Sequence, residues 1–281
     1  MRATMPIATQ IDASILAKLA PKVTGKKAVS QKAVIAGFGA MLPKMLPFIE
    51  VTTPLRISHF LSQTAHESDG FCTSEEYASG AAYEGRAGLG NVRPGDGKRF
   101  KGRGPIQLTG RDNYRKFTVW MRSRQPDCPN FEEKPELVAE WPWAGWAAAY
   151  YWSTRNINTL ADRDDLVAVT KVINGGRNGL ADRARYLAKA KAIIMPIAAL
   201  QVAPDYDYPV LRRGSQGVWV ERLQYALAKA GFYLLSIDGD FGPGTEGAVM
   251  LLQRTRGLLV DGIAGPKTFA ALASYLPETN D

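Results

Sequence analysis

The chain has 281 residues, room for one large or two smaller domains, and its 46% hydrophobic and 22% charged residues exclude a disordered polar chain. The net charge of +8 is uneven: 28 Lys and Arg stand against 18 Asp and Glu up to residue 204, and 7 against 9 after it, so the first part suits an anionic polymer such as cell wall or nucleic acid. Two cysteines, Cys72 and Cys128, are too few for a disulfide scaffold and read as free thiols, and the N-terminus lacks the continuous apolar core of an export signal.

In chain order, residues 1–50 read as helical, with Ile11, Ile15, Leu16 and Leu19 at helical spacing. Thr24 to Ser30 reads as a polar, Lys-bearing turn or loop. The apolar run at 33–49 contains Lys44 and two prolines and is shorter than a membrane span. It is expected to be a buried helical segment, with no stable membrane insertion. Residues 52–70 form the next predicted helix, with Leu55, Phe60, Leu61 and Ala65 on its apolar face.

Glu67 stands near the end of that helix, beside His66, and Glu76 follows nine residues later with Glu75 next to it. On an unbroken helix, at about 100° per residue, Glu67 and Glu76 would point to opposite sides. They face each other only if the chain leaves the helix between them, and Gly70 is the residue type that allows it to stop. Two carboxylates across such a bend suit hydrolysis of a glycosidic bond, which needs one carboxyl protonated as acid and another ionised as base or nucleophile.

The stretch 78–101 is rich in Gly, Arg and Asn and cannot hold a long helix; it reads as an exposed loop across the mouth of a cleft. In GRGPIQLTGRDNY, 102–114, three glycines permit tight turns, and Pro105 to Leu108 reads as a short extended piece. Helices are predicted over 112–125 and 135–153. The second carries Trp141, Trp143, Trp146 and Trp152 among alanines, a pattern that more often packs a core than lines sugar subsites. Two more helices follow at 164–174 and 180–195.

Pro196 to Pro209, with three prolines and two Asp-Tyr steps, reads as a linker between a domain of residues 1–195 and one of 210–281. The last part holds a repeat, DGDFGPGT at 238–245 and DGIAGPKT at 261–268, in which Asp-Gly makes a turn and Pro starts a helix. A further helix, 218–231, precedes it. Asp238 and Asp240 do not form a calcium loop, because Pro243 and Val249 stand where Gly and Glu are required. His59 and His66, the two histidines, lie about 10.5 Å apart along a helix. That is too far to share one zinc ion, so no metal or other cofactor is expected.

Three segments, FLSQTAHESDGFCTSEEY (60–77), GRGPIQLTGRDNY (102–114) and VINGG (172–176), together resemble the pattern of glycoside hydrolase family 19, shared by plant-type chitinases and many phage endolysins. The resemblance runs over roughly residues 50 to 190, in motif order as well as content. It implies that Glu67 is the general acid and Glu76 the base that draws a proton from water, with Glu75 left open as the alternative. The Thr109 hydroxyl would help hold that water. Gln107, Asn113 and Asn174 match sugar-binding positions, and Arg183 matches an Arg that partners the acidic cluster. Phe60 and Phe71 are expected to supply apolar surroundings that keep Glu67 protonated. A water between the carboxyls implies an inverting mechanism and a separation of roughly 6.5–9.5 Å.

Residues 208–276 are similar to the small three-helix peptidoglycan-binding domain found on many wall hydrolases. The combined expectation is a mainly α protein: a lysozyme-like or chitinase-like helical catalytic domain plus a small three-helix wall-binding domain. The resemblance implies an endolysin, a muramidase that hydrolyses the β-1,4 backbone of bacterial peptidoglycan and lyses the host cell. Such an enzyme would act as a monomer, without nucleic acid, and stay in the host cytoplasm until another factor releases it to the wall. A chitinase of the same fold is disfavoured by Asn178, which stands where family chitinases carry Glu. A non-catalytic wall-binding protein is the remaining alternative. A zinc amidase lacks its ligands, and no recognised nucleic-acid motif is present.

Overall fold

The computed structural model describes residues 6–202 and 208–276. Among these residues the structure is mainly helical, and extended pairing is limited to isolated bridges. The chain forms two compact units that divide between Ile193 and Ile194.

In the first unit, α1 (Ala13–Leu19) starts at Asp12, whose carboxylate accepts from the Ser14 N–H at 2.9 Å. Helix α2 (Gly25–Phe48) overturns the loop expected over 24–30. Behind extended Thr24, the Lys, Ala and Gln residues of 26–32 are good helix formers, and Lys27 and Gln31 bond from the helix to Asp69 and to the Pro21 and Gly70 carbonyls. The expected buried segment at 33–49 is part of this helix, which continues through Pro43 and Pro47 and buries Val34, Phe38, Leu42 and Met45. A β-carbon on Gly39 would lie 2.4 Å from the Ala13 backbone, so glycine is what lets α1 and α2 pack this closely.

Helix α3 (Pro54–Glu67) is capped by the Thr53 hydroxyl and opened by Pro54. Every residue from Ile57 to Ala65 is buried, not one apolar face alone. Its hydroxyls are satisfied within the helix: Ser58 donates to Pro54 O at 2.7 Å and Thr64 to Phe60 O at 2.9 Å. Phe60 packs edge-on against Trp152 at 5.1 Å. This helix is the buried spine on which the unit is built.

The loop 78–101 folds into 3-10 turns at Ala81–Tyr83 and Ala87–Leu89 and a short α4 (Asp96–Arg99). The Glu84 carboxylate accepts from the Gly95 and Gly97 N–H groups at 2.6 and 2.8 Å. Arg111 donates to buried Asp96 and to Glu132, both at 2.9 Å, and holds the Asp96 carboxyl below its ordinary range. Helix α5 (Arg111–Arg122) follows.

The single helix predicted over 135–153 is two elements, a 3-10 turn at Pro135–Ala139 and α6 (Trp143–Thr154). Glu140 is extended and Trp141 precedes Pro142, a position from which the α conformation is sterically disfavoured. Of the tryptophans of this stretch Trp152 lies in the core, and Trp141, Trp143 and Trp146 are half-buried. Trp152 is fully buried, Trp143 packs on Phe131 at 5.4 Å and Trp146 on Phe48 at 5.2 Å. Then come α7 (Ile157–Asp162), too short to carry a periodic signal, α8 (Leu166–Asn174) and α9 (Leu180–Val202). Helix α9 runs through Pro196, so the stretch read as a linker is helical as far as Val202; residues 203–207 lie outside the described residues. Cys72 and Cys128 are free and buried.

The second unit contains α10 (Val218–Lys229), α11 (Pro243–Thr255) and α12 (Pro266–Ala271), around a core that includes Leu223, Phe241, Val249 and Phe269. The sequence repeat is a structural repeat. Gln224 on α10 accepts from the Asp238 and Gly239 N–H groups, both at 3.0 Å, and donates to Asp238 Oδ1 at 2.7 Å. Gln253 on α11 accepts from the Asp261 and Gly262 N–H groups at 3.1 and 3.0 Å and donates to Asp261 Oδ1 at 2.8 Å. Each buried amide thus satisfies the turn that starts the next helix.

Candidate active site

The site begins where α3 stops. Asp69, Gly70 and Phe71 are three successive left-handed residues, with φ of 53°, 68° and 66°. For the two that are not glycine this costs on the order of 1–3 kcal/mol each. The turn is held by Gly70 N–H donating to Ala65 O at 2.7 Å and by the buried Ser68 hydroxyl, which accepts from Phe71 N–H at 3.1 Å. A β-carbon at Gly70 would come within 2.6 Å of the Pro21 ring. The chain therefore reverses here, and the Glu76 N–H reaches Gly102 O at 2.9 Å. Glu67 and Glu76 then line one cleft of about 530 Å³.

The two carboxylates have different neighbours. Glu67, whose side chain is 16% exposed, is bonded by the guanidinium of the fully buried Arg183. Arg183 also donates to the Gln63 side-chain oxygen and, through Nε at 3.3 Å, to Asn178 O. Phe60 and Phe71, expected to surround Glu67, are buried with Phe38, at ring distances of 6.2 and 6.5 Å. Glu76 Oε1 accepts from the Tyr83 hydroxyl at 2.9 Å and its Oε2 from the Gly102 N–H at 3.1 Å. A β-carbon on Gly102 would lie 2.7 Å from Gln107 Oε1 and 3.3 Å from Glu76 Oε2, so glycine leaves room for that approach. Burial, and then the bond to Glu76, raises the Tyr83 hydroxyl pKa above its ordinary value.

Glu75 is engaged elsewhere: its Oε1 takes Arg103 Nε at 2.9 Å and lies 3.4 Å from the Lys101 ammonium. It does not line the cleft, whereas Glu76 does. Gln107 and Thr109 line the cleft too. Gln107 has φ of 56° and donates to Gly104 O at 2.9 Å, so the expected extended piece is a tight turn; Thr109 donates to Gln107 O at 2.8 Å. Asn113 donates to Thr109 O at 2.7 Å and braces the turn from behind, outside the cleft lining. Asn174, the last residue of α8, is exposed and is also outside it.

Several cleft residues were assigned no role at the site from the sequence. Tyr83 sits in the Gly-rich loop, where no period marks it. His66 Nδ1 pairs with Asp182 Oδ2 at 2.6 Å, and a β-carbon at Gly179 would lie 2.3 Å from the imidazole. Burial works to raise the Asp182 carboxyl pKa, but bonds from His66 and Arg185 outweigh it and hold it below its ordinary value. Tyr77 donates to Asp69 Oδ2 at 3.0 Å, and Lys27 binds the same oxygen at 2.6 Å. No group of three or more His, Cys, Asp or Glu among the described residues is placed to hold a metal ion. The arrangement offers two carboxylates on one cleft, one fixed by a cation and one by a phenol and a backbone N–H, beside a hydroxyl.

Comparison with known proteins divides in the same way. Residues 216–272 match the family described as "Putative peptidoglycan binding domain". A Haemophilus influenzae protein described as "Glycosyl hydrolase family 19 domain-containing protein" is 32% identical over 111 residues, 39% of this chain and 50% of the relative. The spore cortex-lytic enzyme of Bacillus cereus is 48% identical over 63 residues, 22% of this chain and 24% of that enzyme. Chitinase C from Streptomyces griseus is similar over 66% of this chain and 92% of its own, at 16% identity and a TM-score of 0.46. The chain thus spans half or less of the length of these curated relatives.

Proposed function

We infer a wall-directed glycosidase from a chain that is chitinase-like, of the glycosyl hydrolase family 19 type, and carries a peptidoglycan-binding domain. It hydrolyses the β-1,4 glycan backbone of bacterial peptidoglycan as a muramidase. The observation that carries this reading is the pair Glu67 and Glu76 on one cleft, each held by different partners. Glu67, on the rigid end of α3, gives its proton to the leaving oxygen. Glu76, on the opposite side of the bend, takes one from a water that Thr109 helps to hold. The product anomer is inverted, as expected when a water occupies the space between acid and base. In this reading the protein is an endolysin that acts as a monomer, reaches the wall when another factor releases it, and lyses the cell. The C-terminal unit keeps it on its polymer, which raises the local substrate concentration.

The test is mass spectrometry of fragments released from purified peptidoglycan and reduced with borohydride. Reduced muramic acid ends support the muramidase. Reduced glucosamine ends keep the acid–base pair and move the cut to the other linkage. Intact strands with freed peptides overturn the glycosidase. Glu67→Gln and Glu76→Gln should each lower the rate at least about a hundred-fold, the usual scale of acid–base catalysis, and Glu75→Gln should leave it within a few-fold. Equal losses at Glu75 and Glu76 would remove Glu76 from the role of base.

A further inference from the structure

The cleft does not end at Asp182 and Tyr186. These two side chains also wall an adjoining groove of about 200 Å³, bounded by Leu19 and Pro21 and lined further by Arg185 and Lys189. Asp182, Arg185, Tyr186 and Lys189 stand at positions i, i+3, i+4 and i+7 of α9 and so share one face of it. The groove's one carboxylate, Asp182, is already bound by His66 and Arg185. Lys189 donates to the carbonyls of Leu19 at 2.9 Å and Ala20 at 3.3 Å, which fix the ammonium without neutralising it. The Arg185 side chain is 80% exposed, so most of its donor fork is open. Asp182 and Arg185 pair with each other, so the lining carries one cation beyond its anion, Lys189, and the exposed fork of Arg185 keeps donors for a second carboxylate, next to the catalytic pair.

Chitin is uncharged and offers Arg185 and Lys189 no ion pair. A peptidoglycan strand has carboxylates on its side groups: on the lactyl ether when the peptide is absent, and on the stem peptide when it is present. We propose that the groove along α9 is a subsite for a carboxylate on the side groups of the glycan, and that it selects wall glycan over neutral amino-sugar polymers. The proposal rests on the wall-glycan reading above and adds the group recognised.

The experiment uses the full chain as Glu67→Gln, so that bound glycan is not turned over, and calorimetric titration with three soluble probes. These are chitotetraose, a wall tetrasaccharide stripped of peptide, and the same tetrasaccharide with its stems. Each is repeated with Arg185→Glu added, and the wall-binding unit is common to both proteins. Charge reversal should weaken the carboxylate-bearing probes about two- to five-fold, the scale of one exposed ion pair, and leave chitotetraose unchanged. Loss with the stripped probe alone assigns the lactyl carboxylate, loss with the stem-bearing probe alone assigns the peptide, and loss with both means that the groove takes either. Lys189→Gln should repeat the pattern, and Arg185→Lys should restore most of the affinity. Acidic probes that bind the parent protein and ignore Arg185, or an equal loss with chitotetraose, overturn the subsite alone. A parent that binds chitotetraose but neither wall probe overturns the wall-glycan reading and the subsite together.

Discussion

Replacing Arg183 by Met tests whether the acid is held by the contacts described. Arg183 has no exposed side-chain surface, so water does not replace its donors at the buried Gln63 oxygen, while Glu67, 16% exposed on the cleft, keeps only partial contact with solvent. The change strands the Gln63 side-chain oxygen, itself fully buried, and leaves Glu67 without its countercharge. Removing one partner of a buried pair costs about 3–5 kcal/mol. Against the ~5–15 kcal/mol that holds a typical domain, this is a large share. Met fills the length of the Arg stem but not the space of the three terminal guanidinium atoms, so a small cavity adds to the loss. Glu67→Gln in the same chain removes the unpaired charge, and the double variant should recover about 1–3 kcal/mol relative to the sum of the two single losses. Urea unfolding followed by tryptophan fluorescence is the assay, since five of the six tryptophans precede residue 194 and report on the first unit. A single-variant loss below about 1 kcal/mol, or two losses that add within about 0.5 kcal/mol, would refute the coupling.

Tyr83→Phe removes one hydrogen bond, the 2.9 Å contact to Glu76 Oε1, and little else. A bond to a charged group is worth about 1.5–3 kcal/mol, so kcat should fall about ten-fold or more and the thermal midpoint of the first unit by several degrees; a loss of kcat under two-fold would mean that the phenol does not position the base. Burial depresses the His59 imidazole pKa below its ordinary 6.5, against the opposing pull of Asp164. The unfolded chain therefore takes up a proton that the folded one refuses, so stability is full above pH 6.5 and falls as pH drops from there toward the lower folded value. His59→Leu should flatten the unfolding free energy between about pH 7.5 and 5, and an unchanged slope would contradict this. Gln253→Ala strands the N–H groups of Asp261 and Gly262, at about 1–3 kcal/mol per stranded group. Hydrogen exchange at those two amides should speed up strongly; unchanged protection would show that the amide clamp does not hold the turn.

What could be read from the sequence was what short-range chemistry decides. Asp-Gly and Gly-Pro in the two DGxxGPxT segments set turn and helix start within a few residues, and the helices at 243 and 266 follow them. Gly70 marked the end of α3 in the same way. The amide clamps were not legible as pairs, because Gln224 reaches 14 residues ahead and Gln253 only 8. Nor did the sequence mark Asp69 and Phe71 as left-handed, since their conformation is imposed by Ser68 and by packing against α2 and not preferred by the residues themselves. The helix over 25–30 was lost to a polar composition, although Lys is as content in a solvated helix as in a loop.

The choice between Glu75 and Glu76 shows the same limit at the site itself. Neighbours in sequence on an extended chain point to opposite sides, so one of the two must turn away from the cleft. Spacing cannot say which. The decision is made by Arg103, which binds Glu75 from 28 residues away, and by Gly102, whose missing side chain lets its N–H reach Glu76. Both come from the GRGPIQLTG segment, which resemblance had marked for sugar and water contacts. Its glycines and its arginine have the further task of sorting the two carboxylates. Glu67 needs no such sorting, because it ends a helix buried from Ile57 to Ala65 and has Arg183 beneath it. One carboxylate is fixed by the core and the other by a loop that a second loop holds in place, so a substitution at Gly102 should disturb the base and spare the acid.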